Sequence, residues 1–306
     1  MTKSRFDIAD RVARALAEGA PVVALESTVI AHGLPYPQNI ETAFACEEAV
    51  KNAGAVPATI GILDGAIRIG LDARELEQFA RPDPDALPLL EKVGLNNLAS
   101  VLERRQAGAT TVATSLKLAH LVGIRVFSTG GIGGVHRGVA ESFDISADLT
   151  ALGSVPVMCV CAGAKAILDL EKTVEYLETL GVPIIGYQTS EFPAFYSRSS
   201  GIATDAEVGS PSEAARIATL HWSLGSSTSV LVGVPVPEVD ELAPFDVERA
   251  VTQAISLAEQ QGIRGKAVTP FILAQVKDLT GGRSLAANRA LLVNNAGIAA
   301  QIASYL

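Results

Sequence analysis

Short apolar runs alternate along this chain with segments of helical period. The runs predict strands at Pro21–Leu25, Val56–Leu63, Arg125–Ser128, Val155–Val160, Pro183–Gly186 and Ser229–Gly233. Each is short, β-branched and bounded by Gly, Pro or Thr. The helical period predicts helices at Asn39–Ala53, Ala73–Phe79, Val112–Val122, Thr173–Leu180, Ser212–Leu224, Val247–Gln261 and Leu285–Ala303. Asn39 reads as an N-cap, with Ile40, Ala43, Phe44 and Val50 along one side. Asp246 and Ser284 read as similar start signals. The stretch Arg81–Pro88 holds three prolines and two aspartates and reads as a surface loop.

This alternation predicts one α/β domain over residues 1–306, with helices on a largely parallel sheet. No linker, repeat or low-complexity segment divides the chain. Composition agrees: of 306 residues 48% are hydrophobic and only 5% aromatic, which favours helices packed on a buried sheet over a β-sandwich. In open α/β sheets, sites form at the carboxyl ends of the strands. The chemistry is therefore expected just after the apolar runs.

A net charge of −9 without a basic run argues against nucleic-acid binding, which needs clustered Lys and Arg. A single phosphate on a small substrate stays compatible with it. The three cysteines, Cys46, Cys159 and Cys161, are too few and odd in number for a disulfide framework, and read as core residues. Met1 to Ala20 is charged and amphipathic without an apolar signal core. No window has the length of a membrane span. The expectation is a soluble, cytoplasmic protein with no membrane partner.

Three segments after strands, a fourth at Phe143–Leu149 and one near the C-terminus carry candidate chemistry. Glu26 ends the first apolar run, in Ala24-Leu25-Glu26-Ser27-Thr28, with His32-Gly33 following. A carboxylate there is a helix-cap partner or a general acid/base, and partial burial favours the acid role. Thr129-Gly130-Gly131-Ile132-Gly133-Gly134-Val135-His136-Arg137-Gly138 packs five glycines into ten residues. Such a loop lets backbone N–H groups approach an anion. It matches neither the Walker A pattern nor the dinucleotide G-x-G-x-x-G pattern. In Phe143-Asp144-Ile145-Ser146-Ala147-Asp148-Leu149, the two carboxylates can share a helix face. Asp144 or Asp148 can hold a divalent metal there, or Asp144 or Ser146 can cap a helix. Lys165 ends Val160-Cys161-Ala162-Gly163-Ala164-Lys165, among small apolar residues. A desolvated lysine amine attacks carbonyls, and the alternative is a lysine that reaches solvent. Asn288 follows Thr280-Gly281-Gly282-Arg283-Ser284-Leu285 and can hydrogen-bond a planar polar group such as a base edge. Asn294-Asn295, further along, read as surface amides.

Together these stretches resemble the pseudouridine-5′-phosphate glycosidase family, also called indigoidine synthase A-like. The resemblance includes Pro37-Gln38-Asn39, Gly54-Ala55-Val56-Pro57-Ala58-Thr59-Ile60, Phe192-Pro193-Ala194-Phe195-Tyr196-Ser197-Arg198 and Thr269-Pro270-Phe271. It covers nearly the full chain, in order. It implies a single-domain α/β/α sandwich, a homotrimer, and Mn²⁺ or another divalent cation such as Mg²⁺. It implies Lys165 as the nucleophile, forming an imine with ring-opened ribose, and Glu26 as the acid for the ring oxygen. It implies Asp144 as metal ligand and Ser146, Ala147, Asp148, Lys92 and Val112 as substrate contacts, with Thr129, His136 and Asn288 beside them. The implied substrate is a phosphosugar, pseudouridine 5′-phosphate, cleaved to uracil and ribose 5-phosphate or formed from them.

That chemistry suits the residues. A C–C glycosidic bond has no heteroatom leaving group to protonate, so the ordinary glycosidase route fails. An imine supplies the missing electron sink and demands an amine and an acid. One stretch departs from the family: after the substrate lysine it usually reads Ser-Arg-Arg-Asp, and here Lys92-Val93 leads into Gly94-Leu95-Asn96-Asn97. A less charged wall suits a larger, flatter aglycone, so a C-ribosyl synthase for an aromatic polyketide, as in alnumycin biosynthesis, is the alternative. A phosphosugar sensor without catalysis and a ribokinase-like transferase are further readings. Intact Lys165, Glu26 and Asp144 argue against the first, and the missing nucleotide-phosphate motif against the second.

Overall fold

The strands form where the chain is apolar at consecutive positions, because such a strand is buried on both faces. Val22–Leu25 (β2), Met158–Cys161 (β9), Ile184–Tyr187 (β11) and Val230–Gly233 (β13) are buried at every residue. Each large aliphatic side chain so buried contributes roughly 1.5–3 kcal/mol. The computed structural model describes residues 5–81, 90–263 and 268–306. The other strands are Phe6–Ile8 (β1), Val56–Leu63 (β3), Ala66–Ile69 (β4), Glu91–Val93 (β5), Gly108–Thr110 (β6), Val126–Ser128 (β7) and Ala206–Val208 (β12). Val135–His136 (β8) and Leu168–Asp169 (β10) make a separate two-stranded pair.

The main sheet runs β1-β4-β3-β2-β7-β9-β13-β11-β12, with β6 joined to β3 and β5 joined to β6. From β3 to β12 every neighbour along that path is parallel. Antiparallel pairing enters only where β3 meets β4 and β6. All six expected strands are present and stand side by side at the centre of the sheet. The unexpected ones, β1, β4, β5, β6 and β12, lie towards its margins and are short.

The helix Arg283–Ala303 crosses β2, β7 and β9 and packs along the helix Gln38–Asn52. The helix Val112–Leu121 covers β2 and β7 from the other face, beside the helix Ala147–Leu152. The sheet is thus enclosed between helical layers, as expected. Among the described residues no helix is long and apolar enough to cross a membrane.

Three start signals are corrected. The helix Gln38–Asn52 starts before Asn39, whose buried side chain donates to the carbonyls of Ile30 and Ala80 at 2.8 and 2.7 Å. The later helices start at Pro244 and Arg283, upstream of Asp246 and Ser284. The helices Asp10–Glu18, Leu98–Glu103 and Val268–Leu279 were not foreseen as elements. Beyond Arg81, the loop expected over Arg81–Pro88 lies outside the described residues.

Candidate active site

Three adjacent parallel strands, β2, β7 and β9, deliver the chemistry at their carboxyl ends. Glu26 follows β2, Thr129 opens the glycine loop after β7, and Lys165 lies just beyond β9. The two loops continue the pairing past the sheet. Ala162 N donates to Gly130 O at 2.8 Å, Ile132 N to Gly163 O at 3.1 Å and Lys165 N to Ile132 O at 3.1 Å. Glycine is needed where this knit is tightest. Gly163 has φ +84°, and a Cβ there would collide with the Pro193 carbonyl oxygen. At Gly133 a Cβ would collide with Ser146 Oγ.

A cavity of about 50 Å³ lies against these strand ends, lined by Glu26, His32, Lys92, Thr129, Lys165 and Asn288. Phe195, Pro270 and Leu273 give it an apolar wall. Phe195 holds a left-handed backbone, φ +64°, a costly conformation that aims its ring at Gly131. A second chamber of about 270 Å³ shares His32, Gly33, Pro270, Leu273 and Asn288 with the first.

Glu26 is only 7% exposed, and burial pushes its carboxyl pKa above the ordinary glutamate value. The positive charge of Lys165, a 2.5 Å hydrogen bond donated by Thr129 Oγ1 and the charge of Lys92 pull the other way. Burial wins, so Glu26 keeps its proton closer to neutrality than a solvated glutamate. Lys165 and a carboxyl whose pKa burial raises therefore share one small cavity. The carbonyls of Thr129 and Gly130 accept from Asn295 Nδ2 at 2.9 and 3.4 Å, which fixes the start of the glycine loop. Asn295 is wholly buried, which corrects the reading of Asn294-Asn295 as surface amides.

Of the residues expected at the site, Glu26, Lys92, Thr129, Lys165 and Asn288 line one cavity. Val112, His136, Asp144, Ser146, Ala147 and Asp148 lie outside its lining. Asp144 and Asp148 do not share a helix face, because the helix begins only at Ala147 and Asp144 precedes it. Ser146 is the N-cap, accepting from Asp148 N at 3.2 Å. Asp148 is buried and takes backbone hydrogen bonds from Ala113 N at 2.9 Å and Gly133 N at 2.8 Å. It thereby ties the helix that starts at Val112 to the glycine loop. The Asp144 side chain is 55% exposed and stands 3.9 Å from His136 Nδ1. Burial lowers the His136 pKa, Lys165 and Lys92 lower it further, and Asp144 opposes them.

His32 was legible only as part of a motif. The apolar wall has its signal in the Phe192–Arg198 and Thr269–Phe271 stretches. Among the described residues, no three His, Cys, Asp or Glu side chains gather into a metal-ligating cluster. Asp144 is thus a single exposed carboxylate, which fits a hard divalent ion that keeps most of its water and substrate-oxygen ligands.

The departure after Lys92 has a local explanation. Asn96 is exposed, and neither Asn96 nor Asn97 lines the cavity. Asn97 Oδ1 accepts from Gly94 N at 2.8 Å and its Nδ2 donates to Lys92 O at 3.2 Å. It holds the turn that ends β5. If the substrate is the expected phosphosugar, Asn97→Ala should raise its KM about three- to tenfold, the worth of roughly one hydrogen bond, with kcat nearly unchanged. Asn97→Asp, which keeps the acceptor for Gly94 N, is expected to recover most of it. Steady-state kinetics on the three proteins checks this.

Residues 11–305 match the family model described as indigoidine synthase A like protein. A pseudouridine-5′-phosphate glycosidase from Caldanaerobacter subterraneus subsp. tengcongensis is 53% identical over 304 residues, 99% of this chain and 97% of that protein. One from Solibacter usitatus is 50% identical over 295 residues, covering 96% of this chain and 97% of its own. Among solved structures, the prealnumycin C-glycosynthase AlnA in complex with ribulose 5-phosphate superposes with a TM-score of 0.89 at 38% identity, over 98% of this chain and 96% of that one. An indigoidine synthase A-like protein from Thermotoga maritima gives 0.88 at 36% identity, over 99% and 97%. With the fold, the order of motifs and the near-complete match in agreement, this chain belongs to the indigoidine synthase A-like family.

Proposed function

We propose that this protein is an enzyme that breaks and forms the C–C glycosidic bond of pseudouridine 5′-phosphate, through an imine on Lys165. The observation that carries the reading is the single cavity holding Lys165, a proton-retaining Glu26, Lys92 and Asn288. The names of the half-identical relatives support the same substrate.

In the cleavage direction Glu26 gives its proton to the ribose ring oxygen as the C–O bond at the anomeric carbon breaks. Lys165 Nζ, as the neutral amine, bonds to that carbon and passes one proton to the Glu26 carboxylate. The nitrogen lone pair then forms C=N as the C–C bond to the base breaks, and the base carbon takes the proton back from Glu26. Water adds to the imine and frees ribose 5-phosphate and the amine. A nitrogen lone pair that drives the C–C pair onto the base, and a C=N that accepts it back in the forming direction, is what a C–C bond to a ring requires, since no leaving heteroatom can be protonated.

Lys92, Thr129 and His136 are assigned to the phosphosugar, with Val112, Ser146, Ala147 and Asp148 contacting it from beyond the glycine loop. Asn288 is assigned to the base. Asp144 would hold Mn²⁺ or Mg²⁺, whose chemistry is to neutralise and orient substrate oxygens. The family pattern supports a cytoplasmic homotrimer, and the charge of −9 accords with a small phosphosugar rather than a nucleic acid as partner.

The likeness to AlnA and the second chamber favour a rival, C-ribosylation of an aromatic acceptor. The outward Asn96 and the turn-holding Asn97 weigh against it, since neither reshapes the cavity. Incubation of the protein with Mn²⁺ and pseudouridine 5′-phosphate is expected to yield uracil and ribose 5-phosphate by product mass. Ribose 5-phosphate with uracil should give the reverse product. Coupling to a naphthoquinone-type acceptor but not to uracil would replace this reading with the rival.

A further inference from the structure

His32 sits on the turn Val29–Gly33, a wide π-type turn shortly after Glu26. Such turns recur at functional sites. Ser27 O accepts from both Ile30 N and Ala31 N at 3.1 Å, and Asn39 Nδ2 holds Ile30 O at 2.8 Å. The turn is therefore pinned at its base, and His32 projects from a fixed platform. Its ring lines both the Lys165 cavity and the adjoining chamber, as Asn288 does.

The two ring nitrogens differ. Among the described residues neither makes a hydrogen bond, and of the two only Nε2 is shut away from solvent. A proton on Nε2 would be a buried donor with no acceptor, an unfavourable arrangement. That favours the tautomer with the proton on Nδ1, which is not shut away. Burial and the neighbouring charge of Lys92 lower the His32 pKa, while Glu91 opposes them, so the ring stays neutral. The Asn288 side chain is also buried and, among the described residues, makes no hydrogen bond of its own. Two polar groups facing one space without partners define a hydrogen-bonding surface that a ligand completes.

We infer that His32 is a specificity-determining contact that reads a carbonyl of the base ring through Nδ1–H, beside the Asn288 amide. A pyrimidine-2,4-dione presents carbonyl, N–H and carbonyl in a row along one edge. One fixed donor and one amide with both a donor and an acceptor match adjacent members of that row. A purely hydrocarbon edge would leave both protein groups unpaired, and such sites reject ligands that lack the partner atom. The inference rests on the base-ring reading above and adds the residue that selects the ring.

The test uses His32→Asn, which keeps an N–H near the place of Nδ1, and His32→Gln, which puts it near the place of Nε2. Two readouts are taken: kcat/KM for pseudouridine 5′-phosphate, and borohydride capture of ribose 5-phosphate on Lys165, which needs no base. His32→Gln is expected to lower kcat/KM about tenfold, the worth of one hydrogen bond in a desolvated site. His32→Asn is expected to stay within about threefold, and both variants should capture ribose 5-phosphate at the wild-type rate. An unchanged kcat/KM in His32→Gln, or capture that falls in step with it, overturns the role of His32 and leaves the activity standing. A wild type that neither cleaves nor captures overturns the activity itself and this role with it.

Discussion

Lys165→Ala is expected to abolish borohydride capture of ribose 5-phosphate and to cut turnover by roughly 10⁴- to 10⁶-fold, as loss of a covalent nucleophile does elsewhere. Borohydride reduces C=N to a stable secondary amine, so capture appears as a fixed mass gain on one peptide. The fold should barely notice the change. Among the described residues the Lys165 side chain makes no hydrogen bond or ion pair, and its backbone N–H keeps Ile132 O at 3.1 Å whichever residue stands there. Stability within about 0.5 kcal/mol of wild type is expected for a change that removes no packed or paired group. Lys92 lines the same cavity and is the natural false positive. Peptide mapping separates the two amines. An adduct that persists in Lys165→Ala, or maps to Lys92, would sink the assignment.

How much of this was legible in the sequence follows from burial. Val22–Leu25, Met158–Cys161 and Val230–Gly233 were readable because every residue is enclosed, so apolar character runs unbroken. Glu91–Val93 and Gly108–Thr110 were not. Each is three residues long, and their composition includes Glu, Lys and Gly. What makes them strands is pairing with each other and, through Gly108–Thr110, with Val56–Leu63. Such long-range contacts leave little local trace. The same limit governs Asn39 and Asn295. Both were given roles that suit exposed or helix-end amides, but they are clamps on the backbone of remote segments. An amide side chain announces hydrogen-bonding capacity, and only the fold decides which carbonyl it meets.

Within the site, the strand-end rule placed Glu26, Thr129 and Lys165 without any coordinates, because parallel strands share a direction and their ends share an edge. Chemistry alone favoured a lysine that reaches solvent, and the family resemblance reversed that reading. The structure adds an independent reason, a cavity shared with a carboxyl whose pKa burial raises. His32 shows the converse. A single histidine inside a motif has no signature until its two nitrogens can be told apart by their surroundings.

Glu26→Gln should separate stability from activity. Turnover is expected to fall roughly 10²- to 10⁴-fold, the usual worth of a positioned acid. Capture of ribose 5-phosphate should fall less, since the minor open-chain aldehyde present in solution needs no ring opening. In the wild type, activity that depends on protonated Glu26 should decline as pH rises through its raised pKa. The stability effect has the opposite sense. A carboxyl whose folded pKa lies above its unfolded value burdens the folded state once pH exceeds the unfolded value near 4.3. Below that pH both states hold the proton and Glu26 contributes nothing. Above it the folded protein must retain a proton or bury a charge, and glutamine does neither. Lys165 and the Thr129 hydrogen bond reduce that burden but do not reverse it, since burial dominates. Glu26→Gln is therefore expected to be more stable than wild type at neutral pH by about 1 kcal/mol, the size of gain common when a functional residue is relieved. The margin should shrink as pH falls towards 4.3. Thermal melts across that range measure it. A variant less stable than wild type at neutral pH would mean that the attraction to Lys165 outweighs burial, and that Glu26 is ionised when the substrate arrives.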